Sequence, residues 1–374
     1  MRVLLVGNYL SDGQESMLRF AGLMQRGLSQ AGHEVRISRP RPLASYLPVA
    51  ERSLSKWLGY IDKFALFPTV LAKAARWADV IHICDHSNAM YTSYVGPRPV
   101  VVTCHDMLAV RGALGEDTDC PASAAGKLLQ RWIVAGLRRA DRLACVSNAT
   151  LRDVERIVCS DRHFLQVILN GLSYPYTVLP DETVRHRLVQ LPLVRYRKFV
   201  LHVGSNLRRK NRDAVIRVFA DVLRSVDVDL VLVGPKLSAD LESLARELGV
   251  LDKVIVVEKP TNEVLEALYN SALVFLFPSR FEGFGWPLVE AQACGCPIVC
   301  SRCPPFREIV SDAVLSRAVD DEEGFAADIV RLARESQEWT ASRCAGLQNA
   351  ERFRPDKMIA EYIALYMEVI SNRC

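Results

Sequence analysis

The sequence has no run approaching the roughly 20 consecutive apolar residues of a membrane-spanning helix. Its opening, "MRVLLVGNYLSDG", turns polar after about seven residues, sooner than the apolar region of a secretory signal. A cytoplasmic location is therefore expected. Net charge is also scarce: 47 Lys and Arg against 43 Asp and Glu leave +4, too small an excess for a dedicated nucleic-acid binder. That excess is still compatible with phosphate-bearing ligands or an anionic surface. Low-complexity tracts and short repeats are absent, and with half the residues apolar there is little scope for disorder. The 11 cysteines are spread through apolar runs such as "LACVS" and "IHICD" in a chain of 374 residues, which excludes a small disulfide scaffold and makes buried free thiols the expectation. This length suits two domains of roughly 100–200 residues or one large α/β barrel.

What is present is an alternation of short Val/Ile/Leu runs with amphipathic helical patterns. "RVLLVG", "HEVRIS", "ADVIHIC", "RPVVVTC" and "RLACVS" follow one another in the first half, and "FVLHVG", "VDLVLVG", "KVIVVE", "LVFLFP" and "CPIVCS" in the second. Continuous apolar runs separated by helices are what parallel sheets covered on both faces require. The strand signal lapses in "YPYTVLPDETVRHRLVQLPLVRYRK". The expected organisation is an α/β chain of two Rossmann-like domains: residues 1–175, a linker at 176–197, and residues 198–355. Ligands of open α/β sheets sit beyond the carboxyl ends of the strands, so the loops after strands are the ones to inspect.

After "LVFLF" comes "PSRFEGFGWPLVEAQACG". Glu282 and Glu290 lie eight apart, Gly283 and Gly285 let the backbone approach a ligand, and Pro287 falls in the first turn of a helix, where its missing N–H costs nothing. The helix start from Phe284 through Trp286 to Leu288 favours an anion such as a diphosphate. Carboxylates beside such a site make better sense as acceptors for sugar and ribose hydroxyls.

This passage resembles the E-x7-E signature of the family-four retaining glycosyltransferases of the GT-B fold, with Trp286 where Leu is commoner. By that resemblance Glu282 meets the donor sugar and Glu290 the nucleotide ribose. "LHVGSNLRRKNRDAVIRVFA" is similar to the family's strand, glycine loop and R-K-N element; Gly204 allows close approach, Arg209 and Lys210 carry charge for the leaving diphosphate, and Arg208 is a bystander. "VVTCHDML" resembles the family's His-Asp position, which implies that His105 reaches the donor sugar, with Asp106 orienting its ring or lying toward the acceptor. In the first loop the family's Gly-Gly pair is replaced by Gly13-Gln14, whose backbone is expected to meet phosphate. Base contacts are expected from backbone near Val257. The resemblance further implies two domains facing across a cleft, an acceptor-binding first domain, and a C-terminal helix, 356–374, that crosses back to it.

The resemblance implies transfer of a sugar, with retention, from a UDP- or GDP-sugar to a glycan or lipid-linked glycan, in bacterial-type cell-surface polysaccharide synthesis. No cofactor is expected, since the nucleotide sugar is a substrate, and no metal, since no DxD-like pair follows a strand in the second half. Lys56, Trp57 and Lys63 lie in a basic amphipathic stretch that suggests peripheral contact with an anionic membrane. A nucleotide-sugar epimerase of the same fold and a non-catalytic nucleotide-sugar binding module are the alternatives. The cluster Cys294, Cys296, Cys300 and Cys303 is expected to be packing and no metal site, because Cys296 and Cys300 flank a strand that sets them roughly 13 Å apart.

Overall fold

A computed structural model describes residues 1–43, 58–158, 161–191 and 198–373. The chain divides into two compact units, Met1–Ser173 with Pro355–Cys374, and Tyr174–Arg354.

In the first unit, β1 (Arg2–Val6), β2 (Glu34–Ser38), β3 (Val80–Ile83), β4 (Val100–Cys104), β5 (Arg142–Cys145) and β6 (Leu165–Val167) form one sheet in the order β2-β1-β3-β4-β5-β6. Every pairing is parallel. The inner strands β3 and β4 are buried on both faces, as their unbroken apolar runs require, whereas the edge strand "EVRIS" alternates between exposed and partly covered residues.

The second unit holds β7 (Phe199–Val203), β8 (Asp229–Val233), β9 (Val254–Val257), β10 (Val274–Phe277), β11 (Ile298–Ser301) and β12 (Leu315–Arg317), ordered β12-β11-β10-β7-β8-β9, again all parallel. From β7 the chain winds outward through β8 and β9; from β10 it winds the other way. The strand order therefore reverses between β7 and β10, and in the first unit between β1 and β3, so the loops that follow these strands diverge and leave a crevice at each sheet's carboxyl edge.

The expected linker differs from what the chain does. From Tyr174 onward it already packs on the second unit: Tyr174 Oη donates to Glu266 at 3.3 Å, Thr177 N–H to the same carboxylate at 2.8 Å, and Leu179 N–H to Asn270 Oδ1 at 2.9 Å. Arg187 adds an ion pair to Glu266. A nearly buried glutamate on the helix Asn262–Ser271 needs these partners, and its demand organises a segment that by composition reads as loop.

The C-terminal helix Pro355–Ser371 belongs to the first unit. Burial lowers the pKa of His82 on β3 to about 3, with the nearby His105 adding to the effect, so the ring is neutral. Its Nε2 bonds Thr103 Oγ1 at 2.7 Å and its Nδ1 bonds Tyr366 Oη at 2.6 Å, while Tyr362 Oη bonds Thr103 at 2.8 Å. Gly27 lets the helix come close, since a Cβ there would lie 2.5 Å from Ile359. Tyr366→Phe, which strands a buried ring nitrogen, should lower unfolding free energy by about 1–3 kcal/mol. Urea denaturation measures this; an unchanged value would mean that apolar contact alone holds the helix.

Candidate active site

At the reversal point of the second sheet, the loops after β7 and β10 are tied together before any ligand is considered. Arg208–Lys210 form a single tight turn that ends at Asn211, a left-handed residue with φ 57°. Asn211 is buried, and its Nδ2 donates across to Pro278 O at 3.0 Å, while Arg280 N–H donates to Arg209 O at 2.8 Å. Those bonds bring Glu282 against both cations of the turn: Arg209 Nη1 lies 3.3 Å from Oε2, and Lys210 Nζ bonds Oε1. Burial pushes the Glu282 carboxyl up, but the charges of Lys210 and Arg209, with the hydrogen bond from Lys210, outweigh it and hold the group below its ordinary value. An ionised carboxylate thus sits between two cations, with a tenth of its side chain exposed.

Two glycines are required here. A Cβ on Gly204 would stand 2.8 Å from His202 Nε2, and Gly285 has φ 108° with the Phe306 ring 2.9 Å from where its Cβ would be. Gly285 launches the helix Trp286–Ala293, with Pro287 in its first turn. Leu288 N–H is taken by Gly285 O at 3.0 Å and Pro287 has no N–H, so these two of the expected diphosphate contacts are not available as amide donors. The Phe284 side chain is buried, and its ring lies edge-on to Trp286 and Phe353. Glu290 is buried about one turn along, where Tyr269 Oη donates to it at 2.9 Å. At the end of β9, Val257 O accepts Gly234 N–H at 3.0 Å.

In the first unit His105 ends β4, buried, with Nε2 donating to Cys84 O at 2.9 Å and the Phe20 ring edge-on at 4.7 Å. Burial lowers its pKa, which the Asp85 charge only partly opposes. Asp106 Oδ1 accepts Leu108 N–H at 3.0 Å and so holds the start of the next helix. Gly13 is left-handed at φ 63° in open space, and the exposed Gln14 uses its Oε1 to accept from Asn8.

Asn8 also donates to Asp85 at 2.5 Å, and Ser87 and His86 surround the same carboxylate, His86 Nδ1 at 3.2 Å from Oδ1. The His86 contact satisfies ion-pair distance without hydrogen-bond geometry, so it is electrostatic in character. Burial alone would raise the Asp85 pKa, yet these neighbours hold it low. Asn8, Asp85 and His86 are functional candidates that sequence reasoning missed. The signal was there in "ICDHSN", an acid–histidine pair after a strand, but the adjacency of β1 and β3 that adds Asn8 is a matter of topology.

Lys56 and Trp57 lie outside the described residues. Lys63, partly exposed, lies in one widened helical turn, Asp62–Leu66, with its Nζ 3.1 Å from Asp12 and over the rings of Tyr9 and Tyr60. Phe64 packs inward on Trp132, while Tyr60, Ile61 and Val70 are exposed. No helix among the described residues is long and apolar enough to cross a membrane. Cys294, Cys296, Cys300 and Cys303 are all buried, and burial pushes their thiols up, that of Cys303 to about 12.

Two family descriptions cover most of the chain: "Glycosyltransferase Family 4" matches residues 19–173 and "Glycosyl transferases group 1" residues 189–344. The chain belongs to the family-four glycosyltransferases. Among relatives of this glycosyltransferase, the N-acetyl-alpha-D-glucosaminyl L-malate synthase of Bacillus anthracis is 24% identical, with 92% of each chain covered. A D-inositol 3-phosphate glycosyltransferase of Xylanimonas cellulosilytica is 27% identical over 79% of this chain and 73% of the relative. Its fold matches sucrose-phosphate synthase from Thermosynechococcus elongatus with a TM-score of 0.80 at 19% identity, each chain covered completely. Anabaena HepE, solved in complex with UDP and glucose, matches with a TM-score of 0.74 at 18% identity over 97% of this chain and 99% of that one. The fold of this glycosyltransferase is therefore GT-B.

Because folding lowers the Glu282 pKa, the folded chain binds fewer protons there than the unfolded chain. Its contribution to stability is complete above the ordinary value of 4.5 and is lost as pH falls through the lower, folded value. Urea unfolding between pH 6 and pH 3 should show the wild type losing more stability on acidification than Glu282→Gln. Parallel losses would show that the carboxylate is not held low.

Proposed function

We propose that the chain transfers a sugar, with retention of anomeric configuration and without a metal, from a nucleotide-diphosphate sugar to a hydroxyl of a glycan or lipid-linked glycan. The observation that carries this reading is the ionised Glu282 held between Arg209 and Lys210 at the reversal point of the second sheet. In the ion pairs seen here the carboxylate engages both cations and offsets one of their two positive charges. When a diphosphate arrives, the cations turn to it and Glu282 is released to accept hydrogen bonds from sugar hydroxyls. Glu290, oriented by Tyr269, then takes the ribose. A UDP-sugar is the first donor to test, because HepE was solved with UDP-glucose.

In the step itself the bond from the sugar's anomeric carbon to the β-phosphate oxygen breaks, and its electron pair leaves with the diphosphate. The acceptor oxygen bonds the same face of that carbon, and its proton passes to the departing phosphate oxygen. Arg209 and Lys210 stabilise the charge that grows on the leaving group, the kind of preorganised electrostatic term that dominates such catalysis. They supply the positive charge that a metal would otherwise bring. His105, neutral and fixed by Cys84, contributes hydrogen bonding without charge.

A thermal-shift screen of UDP-, GDP- and ADP-sugars identifies the donor, since binding raises stability by an amount set by ligand concentration over its dissociation constant. With that donor, free nucleoside diphosphate should appear only when an acceptor is supplied; an epimerase would change the sugar without release, and a binding module would do neither. Glu282→Ala should reduce kcat by about 100-fold or more while the protein remains folded, and unchanged turnover would remove Glu282 from the mechanism. Turnover should also persist in EDTA. Its abolition there, with recovery on adding magnesium, would overturn metal independence.

A further inference from the structure

Arg212 opens the helix Arg212–Leu223, two residues after Lys210, and is 2% exposed. Three neutral oxygens hold its guanidinium: Nη1 donates to Asn206 Oδ1 at 2.7 Å and to Pro235 O at 2.8 Å, and Nη2 to Val233 O at 3.3 Å. Its Nε–H has no acceptor, and among the described residues no carboxylate pairs with it. Burial lowers its pKa to about 10 with no acid opposing the shift, so it is a cation at neutral pH.

A buried cation that serves only to hold a fold together is ordinarily paired with a carboxylate, because an unpaired charge in a poorly solvated place is strongly unfavourable. An apolar side chain would fill the position without that penalty. The surroundings of Arg212 suggest what it does instead. Asn206 lies in the loop after β7, Val233 ends β8 and Pro235 follows it, so one guanidinium joins the two loops at the sheet's carboxyl edge. Asn206 extends the join by donating to Lys236 O at 2.7 Å. Gly234, at φ 144°, makes room: a Cβ there would lie 2.7 Å from Arg212 Nη2 and 2.1 Å from Gly204 O. The loop thus secured is the one that carries Arg209 and Lys210.

Charge points the same way. Arg209, Lys210 and Arg212 are three cations within four residues, and among the described residues Glu282 is the single carboxylate that pairs with any of them. His202, against which both Lys210 and Arg212 bear, is kept neutral by burial, with those cations adding to the effect, and contributes no charge of its own. The excess is two positive charges, which matches a diphosphate and exceeds what a sugar hydroxyl needs.

We propose that Arg212 is a positioning residue for the donor's diphosphate: its fork locks the loops after β7 and β8 together, and its unneutralised charge completes the positive excess that the diphosphate balances. This rests on the donor-site reading given above. The experiment compares binding of UDP and UMP by calorimetry, or of GDP and GMP if the donor screen selects guanine, in the full-length wild type, Arg212→Met and Arg212→Lys, each with its unfolding midpoint. In Arg212→Met the preference for diphosphate over monophosphate should fall about tenfold, and Arg212→Lys should restore it to within about threefold. Equal weakening of both nucleotides, leaving the preference intact, would reduce Arg212 to a fold-holding residue and overturn the proposal. Should Arg212→Met fail to fold, Arg212→Lys and Asn206→Ala carry the test. Asn206→Ala keeps the charge but removes one arm of the join, so KM for the nucleotide sugar should rise about threefold; an unchanged KM would overturn the positioning role. A wild type that binds no UDP, GDP or ADP would sink the donor-site reading itself, whereas binding with an unaltered preference in Arg212→Met sinks only the inference about Arg212.

Discussion

A carboxylate suspended between two cations is the constraint on which the second unit's site depends. Glu282 comes from the loop after β10 and its partners from the loop after β7, strands that are neighbours in space yet separated by more than seventy residues of chain. Only a parallel sheet whose strand order reverses between them brings these loops to one edge. The tight turn that presents Arg209 and Lys210 in turn needs Asn211 in a left-handed conformation, tied to Pro278 O. Substituting a β-branched residue at Asn211 would remove the bond and strain the backbone together.

The first unit solves a related problem with neutral groups. Its interior holds His82 and His105, and both are stripped of charge by burial, yet both remain useful as hydrogen-bonding rings. His82 spends both nitrogens on Thr103 and the C-terminal helix, which is structural work. His105, one strand-end further on, is fixed by a single main-chain carbonyl at the carboxyl edge. Beside it Asp85 keeps its charge because Asn8, Ser87 and His86 surround it. Position along the strand, and so depth below the edge, separates a histidine that holds the fold from one at the sheet's carboxyl edge.

Much of the candidate site was legible in the sequence because its residues occur in short local patterns: Arg209 and Lys210 directly before Asn211, Glu282 and Glu290 eight apart with glycines between. What could not be read follows from contacts made at a distance. The pull of buried Glu266 on Tyr174 and Thr177 converts an apparent linker into part of the second unit. A widened turn at Asp62–Leu66 breaks the 3.6-residue period on which an amphipathic reading of that stretch relied, and turns Lys63 toward Asp12. The amide of Leu288 looked available until the turn at Gly285 was seen to use it. The four clustered cysteines, the most conspicuous chemistry by composition, are buried thiols behind the helix that carries Glu290.

If Arg209 and Lys210 hold the donor diphosphate as proposed, their pairing with Glu282 also limits how tightly a nucleotide binds. A diphosphate approaching Arg209 and Lys210 must displace a carboxylate already seated on them, so part of the attraction that a count of cations suggests is cancelled before binding begins. Under the proposed function, the displaced carboxylate re-pairs with hydroxyls that only a donor still carrying its sugar offers. On that reading a nucleoside diphosphate alone displaces Glu282 and offers it no hydroxyl donor in return. The proposed donor site would therefore favour the intact donor over the product by the difference between a satisfied and an unsatisfied buried carboxylate, which for hydrogen bonds to a charged group amounts to about 1.5–3 kcal/mol. Under the proposed function that difference eases product release, a step that limits the turnover of many enzymes.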